Sequence, residues 1–244
     1  MDILYVIGPT PGHDRELRWS LRSVARFARN LGRVVVAGYP PSWLSDEVAT
    51  LLVRDEPRES KFVSIRRKVL AACASGLLRG EFLLSADDNF YTAPVDLDAT
   101  PFWYRRDLPE ISEGWPEDGS RNYREHLDNT RATLAAAGYG VRDCASHCNT
   151  RCDVADLPVV RDLCLAPGGT FPHRAQDMAS MFCNVRDRRE PLAWVRRQDI
   201  KLRSFDAAAV QSGQFSIDDP ALRDRRMLDW FAATYPDRSP FERP

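Results

Sequence analysis

Over the first 95 residues, short apolar runs alternate with amphipathic stretches, and that alternation restricts the fold more than any other feature of the chain. Ile3-Leu4-Tyr5-Val6-Ile7 reads as a buried strand, ended by the breaker-rich loop Gly8-Pro9-Thr10-Pro11-Gly12. Asp14 caps a helix expected over residues 15–31 and stopped by Gly32. Its apolar positions Leu17, Leu21, Val24, Ala28 and Leu31 recur at intervals of three and four, which puts them on one face. Residues 33–37 and 51–53 read as two more strands. A helix over residues 61–75 turns Phe62, Ile65, Val69 and Cys73 inward, and a fourth strand begins at Glu81. Strand, helix, strand, strand, helix, strand is the order of an α/β nucleotide-binding half.

The fourth strand, Phe82-Leu83-Leu84, ends abruptly in Asp87-Asp88-Asn89. Asp and Asn are common turn residues, so a plain turn is one reading. The other is a ligand site, because open α/β sheets bind ligands just beyond the carboxyl ends of their strands. Adjacent carboxylates repel unless a positive charge lies beside them, and a hard divalent cation with oxygen ligands is the usual partner. Placement at the end of a nucleotide-binding half favours the site.

A second stripe shares the first helix: Arg15, Arg18, Arg22, Arg26 and Arg29. It reads either as a solvated face or as a surface for phosphates, including those of nucleic acid. The net charge of −1 gives no general argument for a polyanion partner. No apolar run reaches the ~20 residues of a membrane span, and no basic-then-apolar leader opens the chain, so a cytoplasmic protein is expected. The six cysteines are too few for a disulfide scaffold at this length.

Three ordered motifs carry a resemblance. Glu16-Leu17-Arg18-Trp19-Ser20-Leu21-Arg22-Ser23, Pro41-Ser42-Trp43-Leu44 and Phe82-Leu83-Leu84-Ser85-Ala86-Asp87-Asp88-Asn89-Phe90 resemble the Stealth-type capsular polysaccharide phosphotransferases. The chain is still more similar to small glycosyltransferase-like proteins of phages and prophages. These end in an aromatic-Pro-x-x-Ser-x-aromatic-Glu tail, matched by Tyr235-Pro236-Asp237-Arg238-Ser239-Pro240-Phe241-Glu242. The resemblance implies a glycosyltransferase-A-like, Rossmann-type mixed sheet flanked by helices, with a helical C-terminal half, in one domain. Residues 1–95 would bind a nucleotide-sugar donor and residues 96–244 would cover the acceptor side. It also implies Mn²⁺ or Mg²⁺ held by Asp87 and Asp88. Where the family has a Trp-Val-Asp-Gly loop this chain has Gly8-Pro9-Thr10-Pro11-Gly12, and Ser64 stands in place of an Asn.

The second half lacks clear periodicity after Thr92. Phe102-Trp103-Tyr104 reads as core or as a sugar-stacking platform, followed by an acidic loop over residues 105–122. Helices are expected over 123–137, over 153–165 with Pro158 in the first turn, over 175–184 and over 223–233, the last capped by Asp218-Asp219. Cys144, His147, Cys148 and Cys152 crowd one segment, which suits structural zinc poorly. By the resemblance, His147 occupies the place of a histidine acting as general base or leaving-phosphate donor, with a packed histidine as the alternative. Arg174 and Asn184 match an Arg…Asn spacing of the family, and Arg203 in the basic stretch 195–204 is a weaker phosphate candidate.

The expectation is a metal-dependent glycosyltransferase moving a sugar to an acceptor hydroxyl on a glycan or on a hydroxylated base in phage DNA. Asp88, His147 and Arg174 are its catalytic candidates, and Tyr5, Arg18, Lys61, Ser64, Arg67, Asp87 and Asn184 are its donor-binding candidates. The rivals are sugar-1-phosphate transfer and a non-catalytic carbohydrate- or nucleotide-binding module.

Overall fold

The computed structural model describes residues 1–9, 15–108, 121–144, 149–165, 175–197 and 200–244, without the side chains of 121 and 122. Its main sheet has the order β4-β3-β1-β5-β9. Four strands are parallel: β1 (Asp2–Ile7), β3 (Val34–Gly38), β4 (Val48–Leu52) and β5 (Glu81–Ser85). The edge strand β9 (Thr150–Asp153) runs antiparallel to β5, making the sheet mixed. From β1 the chain builds outward through β3 and β4, then crosses to the other side of β1 for β5. The strand order therefore reverses between β1 and β5, and a crevice opens at their carboxyl ends.

The central strands β1, β3 and β5 are near-continuous apolar runs because both faces are covered. Ile3, Tyr5 and Ile7 of β1 face the helix α1 (Arg15–Phe27), packing with Leu17, Leu21 and Val24. Leu4, with Val35 and Phe82, faces the opposite layer. That layer comprises α2 (Lys61–Ala74), α3 (Arg121–Ala136), α4 (Leu157–Leu165) and α5 (Met178–Arg189). Gly38 ends β3 with φ +119, and a Cβ there would meet the Ile7 carbonyl at 2.0 Å, so only glycine permits this approach of β1 and β3.

The first helix stops at Phe27, short of the expected Leu31. Ala28–Arg29 instead forms β2, paired in parallel with β7 (Val95–Asp96), and Asn30 takes a left-handed conformation at φ 57. The C-terminal half is less helical than expected. β6 (Asn89–Tyr91), β11 (Lys201–Leu202) and β12 (Gln214–Ile217) form one small sheet, and β8 (Phe102–Tyr104) pairs with β10 (Trp194–Arg196). The final helix, α6 (Arg225–Thr234), is capped by Asp224, whose carboxylate accepts from the Arg226 backbone at 3.0 Å. Asp218-Asp219 does not cap it. Asp218 pairs with Lys201 and Arg203, and Asp219 begins a short 3₁₀ turn.

The three N-terminal and C-terminal motifs meet on one face. Trp19 stacks on Phe231 of α6, with centroids 4.4 Å apart and planes 8° from parallel. The Arg18 guanidinium lies 4.1 Å over the Trp43 ring, and Arg18 and Arg22 both donate to the buried Glu242 carboxylate at 2.7–2.9 Å. Phe241 inserts beside Leu44, and Ser45 donates to the Phe241 carbonyl at 2.9 Å. Arg22 also reaches the Tyr235 carbonyl, as Arg26 does that of Thr234. The arginine stripe is thus neither a merely solvated face nor an open phosphate track at Arg18, Arg22 and Arg26. It docks the C-terminal tail.

Among the described residues no helix is long and apolar enough to cross a membrane.

Candidate functional site

Beyond β5 the chain turns through Ala86–Asn89, with the Asn89 amide donating to the Ala86 carbonyl at 3.4 Å, and enters β6. Asp87 and Asp88 occupy that turn and line a cavity of about 350 Å³, so a turn there does not exclude a site. The cavity sits where the strand order reverses. Val6 of β1 and Leu84, Ser85 and Ala86 at the end of β5 form its floor. Lys61, Phe62 and Ile65 of α2 form one wall, and Tyr123 and His126 of α3 another. Thr150 of β9, Asp177, Met178 and Ala179 at the start of α5 and Lys201 of β11 complete it among the described residues. A few polar groups converging on an apolar-walled cleft is the usual build of a small-molecule site.

Among the described residues, Lys201 sets a positive charge against this acidic turn. Lys201 Nζ lies 3.1 Å from Asp88 Oδ2 and 3.2 Å from Asp218 Oδ1. Glu16, in the first turn of α1, has its pKa pushed up to about 7, first by burial and then by the charges of Asp87, Asp88 and Asp219, against the pull of Lys201. Asn89 follows the acids directly. Its side chain is buried, with neither amide atom bonded among the described residues.

No protein-family model matches the chain, and no curated protein matches it. The functional reading therefore rests on the site itself.

Among the sequence candidates, Asp87, Asp88 and Lys61 come together at the cavity. Tyr5, Arg18, Ser64, Arg67 and Asn184 have their polar groups bonded within the fold. Tyr5 is fully buried, its hydroxyl 3.0 Å from Ser20 Oγ, and burial pushes its pKa up to about 12. Arg18 is held by Trp43 and Glu242. Ser64 donates to Asp55, which Lys68 also engages at 2.6 Å. Arg67 is bound by the Glu59 carboxylate at 2.9 Å and by the Arg54 carbonyl. Asn184 is a buried clamp: its Oδ1 accepts from the Arg142 amide at 3.0 Å, and its Nδ2 donates to the Arg142 and Ser180 carbonyls at 2.8 Å. A Cβ on Gly140 would come within 2.9 Å of that Oδ1, so Asn184 holds the segment before Cys144 and is not among the described residues that line the strand-end cavity. His147, Cys148 and Arg174 lie outside the described residues. Cys144 and Cys152 are buried in the core, and burial raises the pKa of both thiols.

Two basic cavity residues escaped the sequence reading. His126 is 5% exposed, stacks on Phe62 at 4.2 Å and 13°, and places Nε2 3.7 Å from Asp177 Oδ2. Burial lowers its pKa, against the Asp177 charge and the Gln176 backbone, which favours the neutral ring. Nδ1 has no hydrogen-bond partner among the described residues. Lys201 is the other. The available signal for His126 was helical spacing: Tyr123, His126 and Thr130 recur on one face of α3.

Among the described residues no group of three His, Cys, Asp or Glu side chains is placed to cage a metal ion. Asp87 and Asp88 nevertheless suit Mg²⁺ or Mn²⁺ in the mode that uses one or two carboxylates and completes its shell from substrate phosphates and water. The donors are hard oxygens, and Glu16 lies near enough to feel the charges of both.

Proposed function

We propose that the chain is a metal-dependent glycosyltransferase of glycosyltransferase-A-like fold, moving a sugar from a nucleotide-sugar donor to an acceptor hydroxyl. One observation carries the reading: two strand-end carboxylates line a cleft at the reversal point of a parallel-rich sheet. The motifs shared with Stealth-type and phage glycosyltransferase-like proteins support it.

Asp87 and Asp88 would hold the divalent ion. When bound, that ion supplies charge stabilisation for the departing nucleotide diphosphate. Lys61, at the N-terminus of α2, adds positive charge where the helix dipole already favours an anion. His126, neutral and backed by Asp177, takes the acceptor hydroxyl proton as the new bond forms to the sugar's anomeric carbon and the bond to the diphosphate oxygen breaks. Acceptors carrying such a hydroxyl include a glycan or a hydroxylated base in DNA.

The test is donor turnover with Mn²⁺ for the wild type, Asp87→Asn and Asp88→Asn. A loss of at least 100-fold in both variants is expected, and undiminished turnover in both overturns the reading. A second reading is favoured by Lys201, which already supplies Asp88 with a cation. On that reading the chain is a nucleotide- or carbohydrate-binding module. Donor binding indifferent to EDTA, with no turnover on any acceptor, would identify it.

A further inference from the structure

The main sheet ends on one side at β4, whose outer edge pairs with no strand among the described residues. Val53 donates its amide to the Gly38 carbonyl at 3.0 Å, so residues in step with Val53 bond to β3. Thr50 and Leu52, one residue out of step, turn their amides and carbonyls away from the sheet. Sheet edges are usually blunted by lysine, proline or a bulge, and Val48–Leu52 carries none of these. Leu52 is 59% exposed, more than any other large apolar side chain among the described residues. It shares a sheet face with Val48, which is buried in the α1 layer.

The two ends of this edge carry opposite charge. Asp46 and Glu47 form the turn that leads into β4, closed by the Val48 amide on the Ser45 carbonyl at 3.2 Å. Asp46 touches Arg243 at 3.3 Å, and Glu47 has no ion-pair partner among the described residues. Beyond the other end stands Arg54, whose guanidinium is also without one among them. The neighbouring Asp55 and Glu56 already face Lys68 at 2.6 Å and Arg67 at 3.9 Å. An edge that is acidic before its start and basic past its end complements itself when a second copy runs antiparallel.

We propose that β4 is where two copies of this chain join, edge to edge about a two-fold axis at Thr50, in one continuous sheet. Thr50 exchanges both backbone bonds with Thr50 of the second copy, and the Leu52 amide reaches the Val48 carbonyl across the seam. Leu52 then lies directly opposite Val48 on the same face, which covers its exposed side chain. Asp46 and Glu47 meet Arg54 at each end. Charge selects this register: centring the pair on Leu51 would set Glu47 against Asp55 and Asp46 against Glu56. Because β4 is parallel to β1 and β5 and the copies run antiparallel, the two strand-end cavities open at opposite ends of the joined sheet. The pairing therefore does not depend on what those cavities bind.

Sedimentation velocity of the full chain over a dilution series tests this. The wild type is expected to shift from monomer to dimer as concentration rises. Leu52→Lys and Arg54→Glu are each expected to weaken the dimer at least tenfold, since a two-fold axis counts every change twice. The double variant Asp46→Lys, Glu47→Lys is expected to do the same. Mixing that double variant with Arg54→Glu should restore dimers, because opposite charges then meet at both ends of the seam. A wild type that stays monomeric throughout leaves the edge to another protein's strand and overturns the proposal. Dimers indifferent to Leu52→Lys and Arg54→Glu, or no dimer on mixing, overturn it equally. Circular dichroism of each variant confirms that the fold is retained.

Discussion

Lys201 Nζ stands 3.1 Å from Asp88 Oδ2, at the turn that carries both strand-end carboxylates. The same ammonium reaches Asp218 Oδ1 at 3.2 Å, so β11 delivers a positive charge to the end of β5. A divalent ion drawn to Asp88 meets that charge as a competitor. A unit charge about 4 Å away is worth about 1 kcal/mol even in the water limit. Lys201→Met is therefore expected to tighten Mn²⁺ binding roughly fivefold or more. Calorimetry with Mn²⁺ alone checks this, and equal or weaker binding in the variant refutes the competition.

Glu16 gives a pH signature for the same cluster. Burial, then the charges of Asp87, Asp88 and Asp219, raise its folded-state pKa to about 7. An acid whose pKa is raised by folding makes its most favourable contribution below its unfolded value of about 4.3, and that contribution is lost as pH rises through about 7. Glu16→Gln removes the loss. Its stability relative to wild type is expected to grow by about 1–2 kcal/mol between pH 4 and pH 8, with the Coulomb part discounted for solvent screening. Urea melts at the two pH values measure it, and a pH-independent difference would contradict the assignment.

The tail lock behaves in the opposite sense. Burial opposes ionisation of Glu242, yet the hydrogen bonds from Arg22, the Ser239 backbone and Arg18 bring its pKa down to about 2. Its stabilising contribution is present above the unfolded value of about 4.3 and is lost as pH falls from there towards 2. Glu242→Gln leaves two guanidinium groups facing a neutral amide. Breaking a buried pair in this way costs on the order of 3 kcal/mol. For a chain of this size that corresponds to a fall in Tm of roughly 6–12 °C at pH 7. The gap to wild type should close as the pH drops below 4, and a constant gap would show that the charge is not what holds the tail.

The parallel sheet was legible because β1, β3 and β5 are buried on both faces and so stand out as apolar runs between breakers. The acidic turn at the end of β5 was legible for the same reason, since Asp87-Asp88 follows Leu84-Ser85-Ala86 without transition. β9 was hidden by its brevity. Thr150–Asp153 has one buried residue in every two and no apolar run to announce it. The tail motif was visible as a pattern, but its physical meaning was not. A stripe of exposed-looking arginines and a glutamate 220 positions away give no local sign that they pair. His126 and Lys201 were missed because each looks like an ordinary polar residue on its own element. Only the packing of α3 and the small β11-β12-β6 sheet around the end of β5 turns them inward.

His126 offers the sharpest test of the cavity's chemistry. Its ring is buried against Phe62, Asp177 lies 3.7 Å from Nε2, and Nδ1 has no partner among the described residues. His126→Phe keeps a flat ring on Phe62 and removes the proton acceptor. On the glycosyltransferase reading it is expected to lower kcat by about 10²–10⁴-fold with the donor KM little changed. Burial lowers the histidine's pKa, so the acid limb of the wild-type rate profile is expected below the ordinary value of about 6.5. The Asp177 charge works against burial, and Asp177→Asn should therefore move that limb lower still. A merely packed histidine would leave the profile untouched in both variants. Steady-state kinetics from pH 5 to 9 separate the cases, and a His126→Phe enzyme with wild-type kcat would assign the proton transfer to another group.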